Sequence, residues 1–386
     1  MQITQGAFGI IKLATSCTFP TVFVAQKYIP SNNKSSFNPR DTSNSNDIMQ
    51  MVIFREIQTL RKLKSPSSTS TSTSKFTNEN IISLLDVHSH NSDVVLTFPY
   101  TPLDVQSLIS RPPNSSSSHF SPFIPTRIFR RMFVQMLNAI GFMHDNQMMH
   151  RDVKPGNFLL DFSGNVQLCD FGLAREIPVS TTPASAPLSH AVCTRWYRPP
   201  ELLFGSTTYT CSVDLWSLGC ILGEFYLSKP LFPGNSDIDQ VFKVLAYTGA
   251  PNCEANNWRF KRAVECPDFG KMFFSEMAGV GVRDFVPRVL PADEILLEGL
   301  LELDPEERLT CVQAAKMLEE WPLATESEVR EYLQTYLSND GSGEGGGEGN
   351  DSNSKKFRTK RRRQVKTVAK EKTLVHYFNP TQFTTS

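Results

Sequence analysis

His150-Arg151-Asp152-Val153-Lys154-Pro155-Gly156-Asn157 is followed by Phe158-Leu159-Leu160, a polar run from Asp161 to Asn165, Val166-Gln167-Leu168-Cys169 and then Asp170-Phe171-Gly172. The apolar runs flanking the polar one predict a short hairpin between two polar motifs. Asp152 is a carboxylate suited to orienting and deprotonating a hydroxyl. Asn157 and Asp170 are hard oxygen donors of the kind Mg²⁺ takes, with phosphate oxygens and water completing its octahedron. Lys154, two residues past Asp152, can reach a transferred phosphate and offset its charge. Either motif alone occurs by accident in surface loops. Both together, a hairpin apart, point to phosphoryl-transfer chemistry.

The order and spacing of these motifs resemble the catalytic loop and metal loop of the eukaryotic protein kinases. The resemblance implies an α+β, two-lobed fold: a small antiparallel sheet with one helix, and a larger helical lobe, with ATP and Mg²⁺ between them. Asp152 is then the base, Lys154 steadies the γ-phosphate, and Asn157 and Asp170 bind the metal. Lys154 in this loop is the serine/threonine signature, so the substrates expected are Ser and Thr hydroxyls of proteins. Downstream, Pro199-Pro200-Glu201 stands for the usual Ala-Pro-Glu, and Glu201 is expected to pair with Arg308. Asp214, in Asp214-Leu215-Trp216-Ser217-Leu218-Gly219, matches the aspartate that braces the catalytic loop. Thr194-Arg195-Trp196-Tyr197-Arg198 is similar to the cyclin-dependent and MAP kinase group (CMGC). Lys229-Pro230-Leu231-Phe232-Pro233-Gly234 and Asp239-Gln240-Val241-Phe242 narrow this to the cyclin-dependent kinases over residues 3 to 325, inserts excepted.

Upstream, Gly6-Ala7-Phe8-Gly9 forms a turn between strand patterns, followed by Ile10 to Ala14 and Val22 to Lys27. Where kinases carry Gly-x-Gly-x-x-Gly-x-Val, this chain has Thr4, Gly6, Gly9 and Ile11, so the first glycine is missing and the preceding strand is expected to be nearly absent. Glycines there let backbone amides approach phosphate oxygens. The resemblance implies ATP contacts at Gly6, Ala7, Phe8, Gly9, Ile11, Ala25, Lys27, Glu56 and Phe98, with Glu56 holding Lys27. Glu56 lies in a helix pattern over 47–63, with Asp47 as N-cap, whose apolar residues exceed one stripe. Its surplus face suits a partner, which the resemblance makes a cyclin. Ile81 to Leu85 and Val94 to Phe98 read as strands, Leu96 guards the adenine pocket, and Pro99 falls where a backbone N–H ordinarily meets adenine. A strongly apolar helix spans 126–145, with His144 as a packed, hydrogen-bonded histidine.

Arg55, Arg151 and Arg175 occupy positions that converge, in cyclin-dependent kinases, on a phosphate carried by the activation segment. Ser189 stands at the phosphorylated position. Ala7 and Phe8 replace residues phosphorylated in many cell-cycle members, so inhibitory control there is expected to be absent. That resembles the fungal branch that activates other cyclin-dependent kinases, or the transcription-linked branch acting on the polymerase tail. The former makes other cyclin-dependent kinases the expected clients. A weakly active scaffold of kinase shape is the rival reading.

The 386 residues suggest two or three domains, and the hydrophobic content of 40% and charged content of 20% are ordinary for a globular chain. No apolar run is long enough for a transmembrane helix, so no membrane partner is expected. Eight cysteines without a Cys-x-x-Cys pair fit a reducing compartment. The organisation expected is a small lobe over 1–98 with inserts at 30–46 and 65–78, a large lobe over 99–325 with an insert at 111–122, and a tail over 326–386. A short amphipathic helix over 329–337 precedes an acidic, Gly-rich linker and the basic cluster from Lys355 to Lys366. That cluster is a nuclear import signal or a solvated charge run rather than a specific nucleic-acid contact. Nucleus and cytoplasm are the expected locations.

Overall fold

The computed structural model describes residues 2–6, 9–15, 23–30, 45–64, 75–91, 93–110, 124–177, 193–250, 260, 263–271 and 277–339. They fall into two compact units, one containing 1–49, 84–102 and 330–386, the other 50–83 and 103–329.

The first unit is built on a five-stranded antiparallel sheet. Its strands are β1 (Gln2–Gly6), β2 (Gly9–Thr15), β3 (Phe23–Ile29), β4 (Asp86–His90) and β5 (Asp93–Pro99), in the order β1-β2-β3-β5-β4. β1 is longer than its sequence suggested: its five residues give four pairs with β2, from Gln2↔Lys12 to Gly6↔Gly9, with a register irregularity between Gln2 and Thr4. Gly9 has φ +146°, and a Cβ there would meet the Tyr28 carbonyl oxygen at 2.2 Å, so only glycine fits. β5 is the buried centre, with Val95 and Leu96 wholly enclosed.

The strand expected over 81–85 is displaced. Ile81 and Ile82 instead attach to Leu168, through a bridge and an Ile82 N–H···O bond of 3.0 Å, and belong to the second unit. The strand beside β5 is the polar run 86–90, most of whose residues are exposed. Strand pairing at a sheet edge needs backbone groups, not apolar side chains, and a polar edge resists pairing with other chains.

The second unit is mainly helical. It takes in most of α1 (Ser45–Lys64), a β6 (Leu103–Asp104), β8 (Phe158–Leu160), β9 (Val166–Leu168) sheet, and a β7 (Met148–Met149) with β10 (Arg175–Glu176) pair. After α2 (Val105–Ile109) come α3 (Thr126–Asp145), α4 (Pro200–Leu203), α5 (Ser212–Leu227), α6 (Asp237–Thr248), α7 (Gly281–Phe285), α8 (Pro291–Leu300) and α9 (Cys311–Leu318); α10 (Glu326–Asn339) is assigned to the first unit from Arg330 onward. α3 occupies the expected span. Its Phe129, Phe133, Met136, Leu137 and Ile140 are buried at helical spacing. Phe129 stacks on Phe225 of α5 at 3.8 Å between centroids. α5 is buried on every side from Ser212 to Tyr226, which makes it the rigid centre of the unit.

α1 starts at Ser45, two residues before the expected N-cap Asp47, and ends with Arg61, Lys62 and Lys64 in its last turn. Val52, Ile53, Leu60 and Leu63 are buried, while Met51 and Phe54 are 52% and 59% exposed. The surplus apolar face is therefore not covered by the described chain. α10 extends beyond the expected 329–337 because Glu328 caps its start, accepting from the Thr325 amide at 2.6 Å. Among the described residues no helix is long and apolar enough to cross a membrane.

Candidate active site

β8 and β9 pair as Phe158↔Leu168 through Leu160↔Val166, with Asp161 closing the turn by accepting from the Ser163 and Asn165 amides at 2.7 and 2.9 Å. This hairpin separates the two polar motifs and brings them to one end. The Cys169 amide, next to Asp170, donates to the Asn157 carbonyl at 2.9 Å.

The Asp152 carboxylate is held by donors on both oxygens. Oδ2 accepts from Lys154 Nζ at 2.6 Å and from Asn157 Nδ2 at 3.1 Å. Oδ1 accepts from the Thr194 amide at 3.1 Å and from the Thr194 hydroxyl at 2.8 Å. Lys154 also donates to Thr194 Oγ1 at 3.2 Å. A threonine hydroxyl thus already rests between the carboxylate and the ammonium, in the relation that an acceptor hydroxyl would need. Sequence reading gave Thr194 no role, since nothing local marks a contact across 42 residues.

The loop around Asp152 is fixed from below by Asp214. Its two oxygens accept the His150 amide at 2.9 Å and the Arg151 amide at 2.8 Å. Arg151 has φ +66°, a left-handed conformation that disfavours non-glycine residues by about 1–2 kcal/mol. Two bonds from one buried carboxylate hold it there. Burial alone would raise the Asp214 carboxyl, but the His144 hydrogen bond and charge and the His150 contacts bring it below the ordinary range. His144, as expected, is hydrogen-bonded rather than a ligand: its Nε2 lies 2.9 Å from Asp214 Oδ2. His150 presents Nε2 to the Cys169 carbonyl at 3.1 Å and Nδ1 to the Asp152 amide at 3.2 Å, which sets its tautomer.

Asp170 also has a left-handed backbone, φ +65°, ahead of the turn through Phe171 and Gly172. A Cβ on Gly172 would meet Val52 Cγ1 of α1 at 2.6 Å, so glycine lets this turn approach the helix that carries Glu56. Glu56 is buried. Asn157 spends its amide nitrogen on Asp152, which turns its carbonyl oxygen into a hard donor like the Asp170 carboxylate. That pair fits Mg²⁺, which keeps most of its shell for phosphate and water.

The three arginines come together. Burial, then the charges of Arg151 and Arg175, lower the pKa of Arg55 from its ordinary value. Arg151 donates to the Leu173 carbonyl and to the Tyr209 hydroxyl, each at 2.8 Å. Ser189, Ala7 and Phe8 lie outside the described residues. The remaining phosphate-loop and adenine positions belong to the first unit: Ile11 pairs with Lys27 across β2 and β3, and Ala25 pairs with Phe98 across β3 and β5. Gly6 ends β1. Glu201 and Arg308 form the expected ion pair, two parallel bonds of 2.9 and 3.0 Å between side chains 3% and 0% exposed.

The protein kinase domain family matches residues 1–319. This chain belongs to the protein kinase family. The α+β, two-lobed kinase fold expected for it accords with the antiparallel sheet and the helical unit. Among curated relatives, cyclin-dependent kinase 20 of Danio rerio is 35% identical over 237 residues, 61% of this chain and 64% of that protein. Cyclin-dependent kinase 20 of Homo sapiens is 35% identical over 238 residues, again 61% and 64%. The chain therefore aligns with just under two thirds of the length of these relatives. A structure of the CAK complex from Chaetomium thermophilum bound to ATP-gamma-S matches at TM-score 0.66 and 27% identity, covering 84% of this chain and 91% of that one. The resemblance of this kinase to the cyclin-dependent group thus holds in both sequence and structure.

Proposed function

We propose that this kinase transfers the γ-phosphate of ATP to serine and threonine hydroxyls of proteins, as a member of the cyclin-dependent type. The observation that carries this is the Asp152 carboxylate, gripped by Lys154 and Asn157 with a threonine hydroxyl 2.8 Å away. Asp152 orients the acceptor hydroxyl and takes its proton, and Lys154 places a positive charge beside the transferred group. Asn157 and Asp170 would hold Mg²⁺, which when bound neutralises charge on the phosphates. Lys27 would position the α and β phosphates. The scaffold reading is disfavoured because every charged residue of the constellation is retained. Labelled ATP with a mixed substrate panel tests the reading; incorporation no greater than background would reject it.

Substrate choice is suggested by Cys193, one residue before Thr194. Its φ is +63°, and its carbonyl accepts from Arg198 at 3.2 Å. With that carbonyl already occupied by Arg198, we infer that a chain lying along Asp152 finds no partner there for the backbone N–H of the residue after the acceptor. Proline has none to satisfy. Replacing that proline by alanine in a peptide substrate should lower kcat/KM by roughly 5- to 150-fold, the equivalent of about 1–3 kcal/mol for an unmade bond. Equal rates on the two peptides would remove this preference.

The arginine cluster is an anion site, and phosphate at Ser189 is the anion that fits it, through bidentate guanidinium bonds. Ser189→Ala should lower activity about tenfold or more, given roughly 1.5–3 kcal/mol for each charged bond lost; unchanged activity would discard the assignment. A cyclin is the partner suited to the exposed Met51 and Phe54, and pull-down with mass spectrometry identifies it. The likeness to the CAK complex favours other cyclin-dependent kinases as clients, with the polymerase tail as the alternative. Comparing an activation-segment peptide with tail repeats decides between them. Nuclear entry through 355–366, with a cytoplasmic pool, completes the reading and is tested by deleting that cluster.

A further inference from the structure

Arg151 is gripped at both ends from the start of α5. Its amide donates to the Asp214 carboxylate at 2.8 Å, and its guanidinium donates to the Tyr209 hydroxyl, also at 2.8 Å. The same guanidinium reaches the Leu173 carbonyl, directly after the Asp170-Phe171-Gly172 turn. Tyr209 is buried between α4 and α5, just after a turn in which the Ser206 hydroxyl donates to the Thr208 carbonyl at 2.9 Å. It shares one buried cluster with Met149, Cys193, Leu202 and Val213. Met149 precedes His150 of the catalytic loop. Cys193 precedes Thr194, whose amide and hydroxyl meet Asp152 at 3.1 and 2.8 Å. Arg151 and Cys193 both have left-handed backbones, φ +66° and +63°. Non-glycine residues keep that conformation only where their surroundings over-determine it. Tyr209 belongs to the surroundings of both, through its hydroxyl for Arg151 and through packing for Cys193. Phenylalanine in its place would pack but accept no bond, and would leave a buried guanidinium donor unmatched.

We propose that Tyr209 is a positioning residue that ties the Cys193–Thr194 turn, on which the acceptor hydroxyl would rest, to Arg151 of the catalytic loop. It touches neither nucleotide nor acceptor in this role. Its hydroxyl fixes the arginine beside Asp152, and its ring supports the turn that presents Thr194 to the same carboxylate. Base and acceptor turn thereby share one reference at the start of α5. The effect on phosphoryl transfer rests on the kinase reading above; the link between the two loops does not.

Tyr209→Phe keeps the ring and removes the acceptor. In the full-length protein, with rates corrected for the folded fraction, kcat should fall about tenfold while the KM for ATP stays within about twofold, as expected for one lost bond to a charged group. Added to Arg151→Gln, the same change should lower kcat by less than about twofold, because its partner is already gone; a role in packing alone would multiply the two losses. Tyr209→Leu removes ring and hydroxyl together. Amide exchange at Thr194 should then rise about tenfold relative to exchange at Leu218 in the middle of α5. Tyr209→Met supplies the kinetic comparison if Tyr209→Phe fails to fold. A corrected kcat within about twofold of the parent, multiplied losses in the double mutant, or Thr194 exchange rising no more than Leu218 exchange would overturn the proposal. A parent protein that transfers no phosphate would reject the kinase reading, and the exchange comparison would still decide whether Tyr209 links the two loops.

Discussion

Asp152→Asn is expected to lower single-turnover phosphoryl transfer by about 10²–10⁴-fold, the range that a positioned general base supplies. The carboxylate is the acceptor for the Thr194 hydroxyl at 2.8 Å and for Lys154 at 2.6 Å. An amide of the same shape keeps one oxygen acceptor but loses the charge and the capacity to take a proton. Its nitrogen must also face Thr194 or the Lys154–Asn157 side, where donors already point at the carboxylate. A stability loss of about 1–3 kcal/mol is therefore expected alongside, from one poorly matched buried contact. Denaturant melts separate this from the kinetic loss, since a folded fraction can be measured and the rate corrected for it. Activity within a few-fold of the parent would mean that Asp152 is not the base, and the site would have to be sought elsewhere.

Arg308→Ala should be the most damaging single change to stability, at about 3–5 kcal/mol, the loss measured when one partner of a buried ion pair is removed. Against total stabilities of about 5–15 kcal/mol this is a large fraction. Its guanidinium meets Glu201 in two parallel bonds and also donates to the Ser212 and Glu302 carbonyls, each at 3.0 Å. It lies 5.2 Å from the centroid of the Trp216 ring. Truncation strands the Glu201 carboxylate in a place 3% exposed and orphans the start of α5. Arg308→Met with Glu201→Gln should recover part of the loss, because no unpaired charge remains buried. Urea unfolding of the parent and the two variants checks this; Arg308→Ala within about 1 kcal/mol of the parent would show that the pair is dispensable.

That the polar residues of the candidate site lie together was legible because they are residue types set at short spacing. Asp152, Lys154 and Asn157 sit within one loop, and the β8–β9 hairpin delivers Asp170 at a distance that turn residues announce. The Glu201–Arg308 pair was legible only through family resemblance, since nothing local links residues 107 apart. What stayed hidden were long-range contacts between ordinary residues: Thr194 on Asp152, Tyr209 on Arg151, and the Cys193 carbonyl on Arg198. The strand misplaced onto Ile81 to Leu85 has a different cause. Apolar residues there serve the Leu168 contact, while the polar 86–90 run takes the ladder with β5, so side-chain pattern and backbone pairing diverged.

Because Asp214 grows from a helix enclosed on every side, the loop that carries Asp152 inherits its address from a deeply buried part of the molecule. Changes in segments far from that helix need not pass a disturbance to the anchor. Tolerance of sequence drift at the periphery is thus a property of where the foundation was laid, and it explains how a chain with an eroded phosphate loop can keep its chemical groups in order.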